Sequence, residues 1–250
     1  MIEKTILVTN DDGIYTDGIY WLWEAVKDIG NALVVAPDTE KSAVGHAITI
    51  TNPLRTKYVN RRGGFSGYAV NGTPADCVKI AVRSILKSPP DLVVSGINYG
   101  ANVGTNVIYS GTVSAATEGT IFGIPSIAVS IDSHHPKDFK SAMDTTQNTL
   151  KKVLKFGLPE GTLLNVNVPD IPDEKIKGIR ITTQGNAYFK DRFEKREDPR
   201  GNIYYWMTGE SIDPDSSGNT DNRALKDGYI SVTHIHYRLT NKSFMSDLKF

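Results

Sequence analysis

The sequence predicts an α/β fold: a mostly parallel sheet flanked by helices, with a β-hairpin arm near the C-terminus. Three observations lead there. Short apolar runs recur along the first two-thirds of the chain, each stopped by turn residues. Segments with helical spacing separate them, the alternation that builds parallel sheets. The last third breaks this rhythm with a long polar excursion that carries several aromatics.

Ile6-Leu7-Val8 ends abruptly in Asn10-Asp11-Asp12-Gly13, which reads as a buried strand followed by a turn. From about Gly18 to Ile29 the apolar residues Ile19, Leu22, Trp23 and Val26 have helical spacing. Leu33-Val34-Val35-Ala36, stopped by Pro37-Asp38, is a second buried strand, so the segment is a βαβ unit with parallel strands. Ile48 to Tyr58 alternates weakly and is read as a strand. Tyr68-Ala69-Val70 leads into an Asn71-Gly72 turn. Thr73 then suits an N-cap, Pro74 the first helical position, and Asp76 the positive end of the helix dipole. That helix runs to about Leu86 with Val78, Ala81, Val82 and Ile85 on one face. Cys77 on it reads as a small buried hydrophobe.

Leu92-Val93-Val94-Ser95 predicts a third buried strand, and a long loop follows from Gly96 to Gly111. A helix is expected from about Thr112 to Phe122, a strand at Ser126 to Ser130, a helix at Ser141 to Leu154 and a strand at Leu163 to Val168. Ile179 to Thr183 and Tyr229 to Tyr237 also read as strands. Between them Phe189 to Phe193 and Ile203 to Met207 pair as a hairpin through Asp198-Pro199-Arg200-Gly201. An excursion of that length is uncommon inside a compact domain and points to an arm that packs on another subunit.

Composition narrows the function. Lys plus Arg and Asp plus Glu number 28 each, so no basic excess marks a nucleic-acid binder. The basic run from Lys190 to Arg200 is interleaved with Asp191, Glu194, Glu197 and Asp198, as on a solvated surface. The single cysteine excludes an intrachain disulfide and fits a reducing compartment. The N-terminal residues lack the features of a signal peptide, and no stretch has the apolar length of a membrane span. A cytoplasmic location is the expectation.

In an open parallel sheet, ligands collect at the carboxyl ends of the strands. Here those ends are followed by Thr9-Asn10-Asp11-Asp12-Gly13, by Pro37-Asp38-Thr39-Glu40-Lys41-Ser42 and by Gly96-Ile97-Asn98-Tyr99-Gly100, all rich in oxygen donors. Adjacent carboxylates repel unless a cation sits beside them. Past a strand end both can face one ion, with oxygens of Ser42 and Asn98 completing a hard set suited to Mg²⁺, Mn²⁺ or Ca²⁺. The alternative is a plain capped turn. Gly96, Gly100, Gly104 and Gly111, with Asn98, Asn102 and Asn106 between them, make a loop whose N–H groups can approach an anion. Ser110-Gly111-Thr112 then opens a helix, a ready phosphate site. A hard cation beside a phosphate cradle is the equipment of phosphate-ester hydrolysis.

Val8 to Gly13, Ala36-Pro37-Asp38 with Ser42 and Gly45, Asn71 to Val78, Ser95 to Asn102 and Tyr109 to Ala116 together resemble the SurE family, the stationary-phase survival proteins. These motifs stand in family order over roughly the first 130 residues. Thr220-Asp221, Ala224 and Gly228 to Val232 resemble the family more loosely. The resemblance implies one domain with a Rossmann-like core over about 1–183 and an arm and C-terminal segment over about 184–250, the arm being exchanged between subunits in a homodimer or homotetramer. It implies a metal-dependent 5′-nucleotidase, with looser activity on other esters such as 3′-monophosphates and on polyphosphate. The family's metal ligands fall on Asp11, Asp12, Ser42 and Asn98, and its phosphate loop on Ser110, Gly111 and Thr112. One Mg²⁺ or Mn²⁺ per subunit is expected, with Asp11, Asp12 and Asn98 as the catalytic groups.

His46 stands outside the family's best-known pattern and reads as a loop-packing or solvated histidine. Thr233-His234-Ile235-His236 replaces an expected proline-containing stretch. Two other readings of the site compete. One is a phosphatase with an aspartyl-phosphate intermediate, although such enzymes typically use Asp-x-Asp. The other is a non-catalytic nucleotide-binding module. A dehydrogenase is disfavoured, since no dinucleotide fingerprint follows the first strand.

Overall fold

The computed structural model describes residues 4–215 and 218–242. The chain opens with the expected βαβ unit: β1 (Thr5–Thr9), α1 (Asp17–Val26) and β2 (Asn31–Pro37). β1 and β2 pair in parallel, with Leu7 opposite Leu33. Strand alternation sends neighbouring side chains to opposite faces. Ile6 and Val8 accordingly join one core with Ile19, Leu22 and Val26 of α1, while Leu7 joins another on the far side.

β3 (Thr56–Asn60) and β4 (Ser66–Val70) follow, then α2 (Pro74–Ile80). The predicted cap is present: Thr73 accepts from the Asp76 N–H, and Asp76 accepts from the Thr73 N–H. Ala81–Ile85 continue α2 as a wider π-helical turn. β5 (Leu92–Tyr99) runs four residues further than expected. The loop beyond it contains a helical turn, α3 (Asn106–Tyr109). α4 (Gly111–Ile121), β6 (Ser126–Ile131), α5 (Lys140–Phe156) and β7 (Thr162–Val168) complete the alternation.

β8 (Ile179–Thr182) precedes a hairpin of β9 (Tyr188–Glu197) and β10 (Ile203–Ile212), which pair only with each other among the described residues. The turn is the predicted one: the Asp198 carboxylate accepts from the Arg200 and Asn202 N–H groups. After α6 (Asp221–Lys226) the chain re-enters the main sheet as β11 (Ile230–His236), antiparallel to β7 and parallel to β8. The nine-stranded sheet has the order β3-β4-β2-β1-β5-β6-β7-β11-β8. From β4 to β7 every pairing is parallel. α1 and α5 cover one face, α2 and α4 the other. Among the described residues no helix is long and apolar enough to cross a membrane.

One expected strand is not there. The stretch from Ile48 to Tyr58 becomes a strand only at Thr56. Ile48 and Ile50 are exposed, and the backbone before β3 is tied down by side chains instead. Asp76 accepts from the Thr49 N–H and hydroxyl at 2.9 and 2.6 Å, and the Thr73 hydroxyl donates to the Ala47 carbonyl at 2.7 Å.

Candidate active site

β1 leads to β2 on one side and has β5 on the other, so the sheet's order reverses at β1. The loops leaving that point are where ligands gather in such sheets. Asp11 and Asp12 follow β1 in a turn held by Asn10, whose carboxamide accepts from the Gly13 N–H at 3.2 Å and donates to the Gly13 carbonyl at 3.0 Å. The Lys41 N–H donates to the Asp11 carbonyl at 2.7 Å, tying the loop after β2 to the same turn.

The Asp11 carboxylate is buried. Thr112 Oγ donates to its Oδ1 at 2.5 Å. Ser110 caps α4 by accepting from the Val113 N–H at 3.1 Å, which leaves the first-turn amides of Gly111 and Thr112 outside the helix's own ladder. Gly111 is needed for this closeness: a β-carbon there would stand 2.7 Å from Asp11 Cβ and 2.9 Å from Asp11 Oδ2. Burial pushes the Asp11 carboxyl up, against the Thr112 hydroxyl and backbone, which pull it down. Burial, and then the charge of Asp11, push Asp12 up to about 7, with the Tyr99 N–H opposing. Asp12 Oδ2 is buried with no hydrogen-bond partner.

Asn98 lies near the end of β5, beyond a bulge that interrupts pairing with β6 between Ser95 and Asn98. Bulges next to a site re-aim the side chains that follow. Its Nδ2 donates to the Gly100 carbonyl at 2.7 Å and the Tyr99 carbonyl at 3.3 Å. The carboxamide oxygen is therefore the group left for a ligand. Ser42 is exposed on the loop after β2, and its hydroxyl donates to Glu40 Oε1 at 2.7 Å.

The structure thus brings Asp11, Gly111 and Thr112 into direct contact, and the Thr112 hydroxyl is taken up by Asp11. Ser42 follows directly on the Lys41–Asp11 tie. Two participants had no role in the sequence reading. Glu40 adds its negative charge to both aspartates, and its place among the oxygen donors after β2 was the available signal. Tyr99 supplies backbone to Asp12 and accepts the Gly18 N–H on its hydroxyl at 3.1 Å; nothing in its local sequence marks that. His46 packs against Glu118, with Nε2 2.8 Å from Oε2. His236 sits opposite Thr162, the first residue of β7, at the other end of the sheet from the carboxylates.

The carboxylates fit a hard cation. Among the described residues the main influences on the two carboxyls are burial, their own neighbours' hydrogen bonds and other carboxylates, and Asp12 keeps an orphaned buried oxygen. Among the described residues no group of three or more His, Cys, Asp or Glu could hold a metal. Two carboxylates with hydroxyl and amide oxygens on neighbouring loops are the chemistry of a hard-cation site rather than of a Cys/His zinc site.

Fold and site together define a Rossmann-like α/β protein with a paired-carboxylate site at the switch point of its sheet. The sequence model of the family described as Survival protein SurE matches residues 6–191. The chain belongs to the SurE family. It is 54% identical to the 5′-nucleotidase SurE of Syntrophobacter fumaroxidans, covering 97% of each chain. It is 51% identical to the 5′-nucleotidase SurE of Heliobacterium modesticaldum, over 97% of this chain and 90% of that one. The crystal structure of the SurE protein from Aquifex aeolicus superposes with a TM-score of 0.85 at 45% identity, covering 98% of both chains.

Proposed function

We propose that this chain hydrolyses nucleoside 5′-monophosphates to nucleoside and phosphate, with one Mg²⁺ or Mn²⁺ held by Asp11, Asp12, Ser42 and Asn98. The carrying observation is the buried Oδ2 of Asp12, without a hydrogen-bond partner among the described residues, beside a second buried carboxylate whose charge pushes Asp12 up. When bound, the cation supplies charge neutralisation at phosphorus and a water acidic enough to attack near neutral pH. Thr112 fixes the rotamer of Asp11. The Asn98 amide nitrogen already serves two backbone carbonyls, so Asn98 enters as an oxygen ligand rather than as a donor to phosphoryl oxygens. The first-turn amide of Gly111 and the positive end of α4 favour the substrate phosphate, while the Thr112 N–H is turned to Asp11. Gly111 lets that phosphate come close to the carboxylates.

The hairpin supports assembly into a homodimer or homotetramer. Phe193, Trp206 and Met207 are all more than half exposed on strands that leave the main sheet, an arrangement that suits burial against a second copy. The buried, unpaired Cys77 suits a reducing, cytoplasmic setting.

A phosphate-release screen over nucleoside monophosphates, with Mg²⁺, Mn²⁺ and EDTA, tests the activity. Release is expected with added cation and abolished by EDTA, and Asp12→Asn is expected to lose turnover by orders of magnitude while melting normally. Hydrolysis insensitive to EDTA, or unchanged in Asp12→Asn, would sink the assignment.

A further inference from the structure

Glu118 is a charged residue in the protein interior that the hydrolytic site does not use. It lies on α4, two turns beyond Thr112, and is only 2% exposed. His46 Nε2 stands 2.8 Å from one of its oxygens and Lys79 Nζ 2.6 Å from the other. Burial pushes its carboxyl up, but the hydrogen bonds from His46 and Lys79 and the Lys79 charge outweigh that and hold it below the usual range. Glu118 is therefore an ionised anchor with two partners on different elements.

One partner belongs to the segment that carries Ser42. The strap of residues 38–55, between β2 and β3, crosses the candidate site. Its Lys41 N–H donates to the Asp11 carbonyl at 2.7 Å, and its Gly45 N–H donates to the Tyr109 carbonyl at 3.0 Å. Ser42 lies between these two ties. Ala43, beside it, has φ +55°, a left-handed conformation that a β-carbon disfavours. The turn is thus one that the segment does not prefer on its own and that its attachments must hold. His46, next to Gly45, fastens the far end of the turn to Glu118.

We propose that Glu118, acting through His46, is a positioning residue for the cation site: it pins the turn from Lys41 to His46 and so keeps Ser42 next to the Lys41–Asp11 tie, in reach of a cation on Asp11 and Asp12. The proposal rests on the reading of Ser42 and the two aspartates as ligands, and extends it to side chains that touch neither cation nor substrate. Lys79 has a separate part. It keeps Glu118 paired when His46 is removed, so the tether can be cut without leaving a bare buried charge.

The test is Mn²⁺ binding by calorimetry on the whole protein without substrate, with thermal melts as a check on folding. The variants are Asp12→Asn, Ser42→Ala, His46→Ala, His46→Gln and the double variant Ser42→Ala with His46→Ala. His46→Ala is expected to weaken Mn²⁺ about tenfold, the low end of what outer-shell partners contribute. His46→Gln, whose amide can still donate to Glu118, should recover most of that loss. In the Ser42→Ala background, removing His46 should cost nothing further, because its effect passes through Ser42. Additive losses in the double variant overturn the proposal, as does wild-type affinity in His46→Ala while Ser42→Ala is weakened. If Asp12→Asn and Ser42→Ala both bind Mn²⁺ as the wild type does, the ligand assignment itself falls and the proposal with it.

Discussion

Replacing Gly111 with alanine probes the closest approach in the site. The added β-carbon would stand 2.7 Å from Asp11 Cβ, 2.9 Å from Asp11 Oδ2 and 3.1 Å from Pro74 Cγ. Carbon atoms rest comfortably at about 3.5–4.0 Å, so one neighbour must retreat by roughly 1 Å. Pro74 opens α2 and is fixed by the Thr73–Asp76 capping box. The Asp11 backbone is held through its carbonyl by Lys41. The Asp11 carboxylate is the part that can move, and moving it breaks the 2.5 Å bond from Thr112. Overpacking of this kind costs about 1–3 kcal/mol. For a chain of this size each kcal/mol lowers Tm by roughly 2–4 °C. A misplacement of about 1 Å at reacting groups costs about a hundredfold in rate. Gly111→Ala should therefore melt several degrees lower and lose about two orders of magnitude in kcat/KM for a nucleoside monophosphate with Mn²⁺, read by phosphate release and a thermal melt. Helix propensity alone predicts the opposite sign for stability, since alanine gains up to about 1 kcal/mol over glycine in a helix. A variant that melts higher than wild type and turns over normally would refute the close-approach reasoning.

Two further outcomes follow from other parts of the molecule. Burial pushes the Asp76 carboxyl up, but hydrogen bonds from Thr49 and Thr73 leave it below its ordinary value of 3.8; its contribution to stability is therefore complete above that value and lost as pH falls through the lower folded one. Asp76→Asn should cost about 1.5–3 kcal/mol in urea unfolding at pH 7, the gap to wild type should close in acid below pH 3.8, and an equal gap at pH 7 and pH 2 would contradict the assignment. Trp206→Glu, placing a charge on the exposed face of the hairpin, should shift the chain toward smaller species in sedimentation while leaving its melt intact; an unchanged mass distribution would remove the hairpin from the interface.

Much of the main sheet was legible because its strands are buried on both faces. Ile6-Leu7-Val8, Leu33 to Ala36 and Leu92 to Val94 have no polar interruption, and sequences of that kind have few ways to be soluble except as inner strands. The capping box at Thr73 was legible for a local reason: all its hydrogen bonds lie within three residues. The misread stretch from Ile48 to Tyr58 shows the limit. Its alternation resembles a strand, yet its partners are Asp76 and Thr73, more than twenty residues away along the chain. Whether an alternating segment finds a strand edge or a set of side-chain acceptors is decided by what folds beside it.

The site divides the same way. Residue types and their place after strand ends nominate Asp11, Asp12, Ser42, Asn98 and the Ser110–Thr112 turn as candidates, because an open parallel sheet brings the carboxyl ends of its strands to one edge. Local chemistry also announced that two adjacent carboxylates need a counter-charge. The sequence could not state the division of labour. Thr112 turns its hydroxyl to Asp11, the Asn98 amide nitrogen serves its own backbone, and Glu118 reaches His46 across 72 residues. Those pairings depend on side-chain directions and close approaches set by packing between distant elements. Periodicity and turn chemistry act over a few residues, so they determine the strands and the loops that leave them. The contacts between those loops belong to the folded core alone.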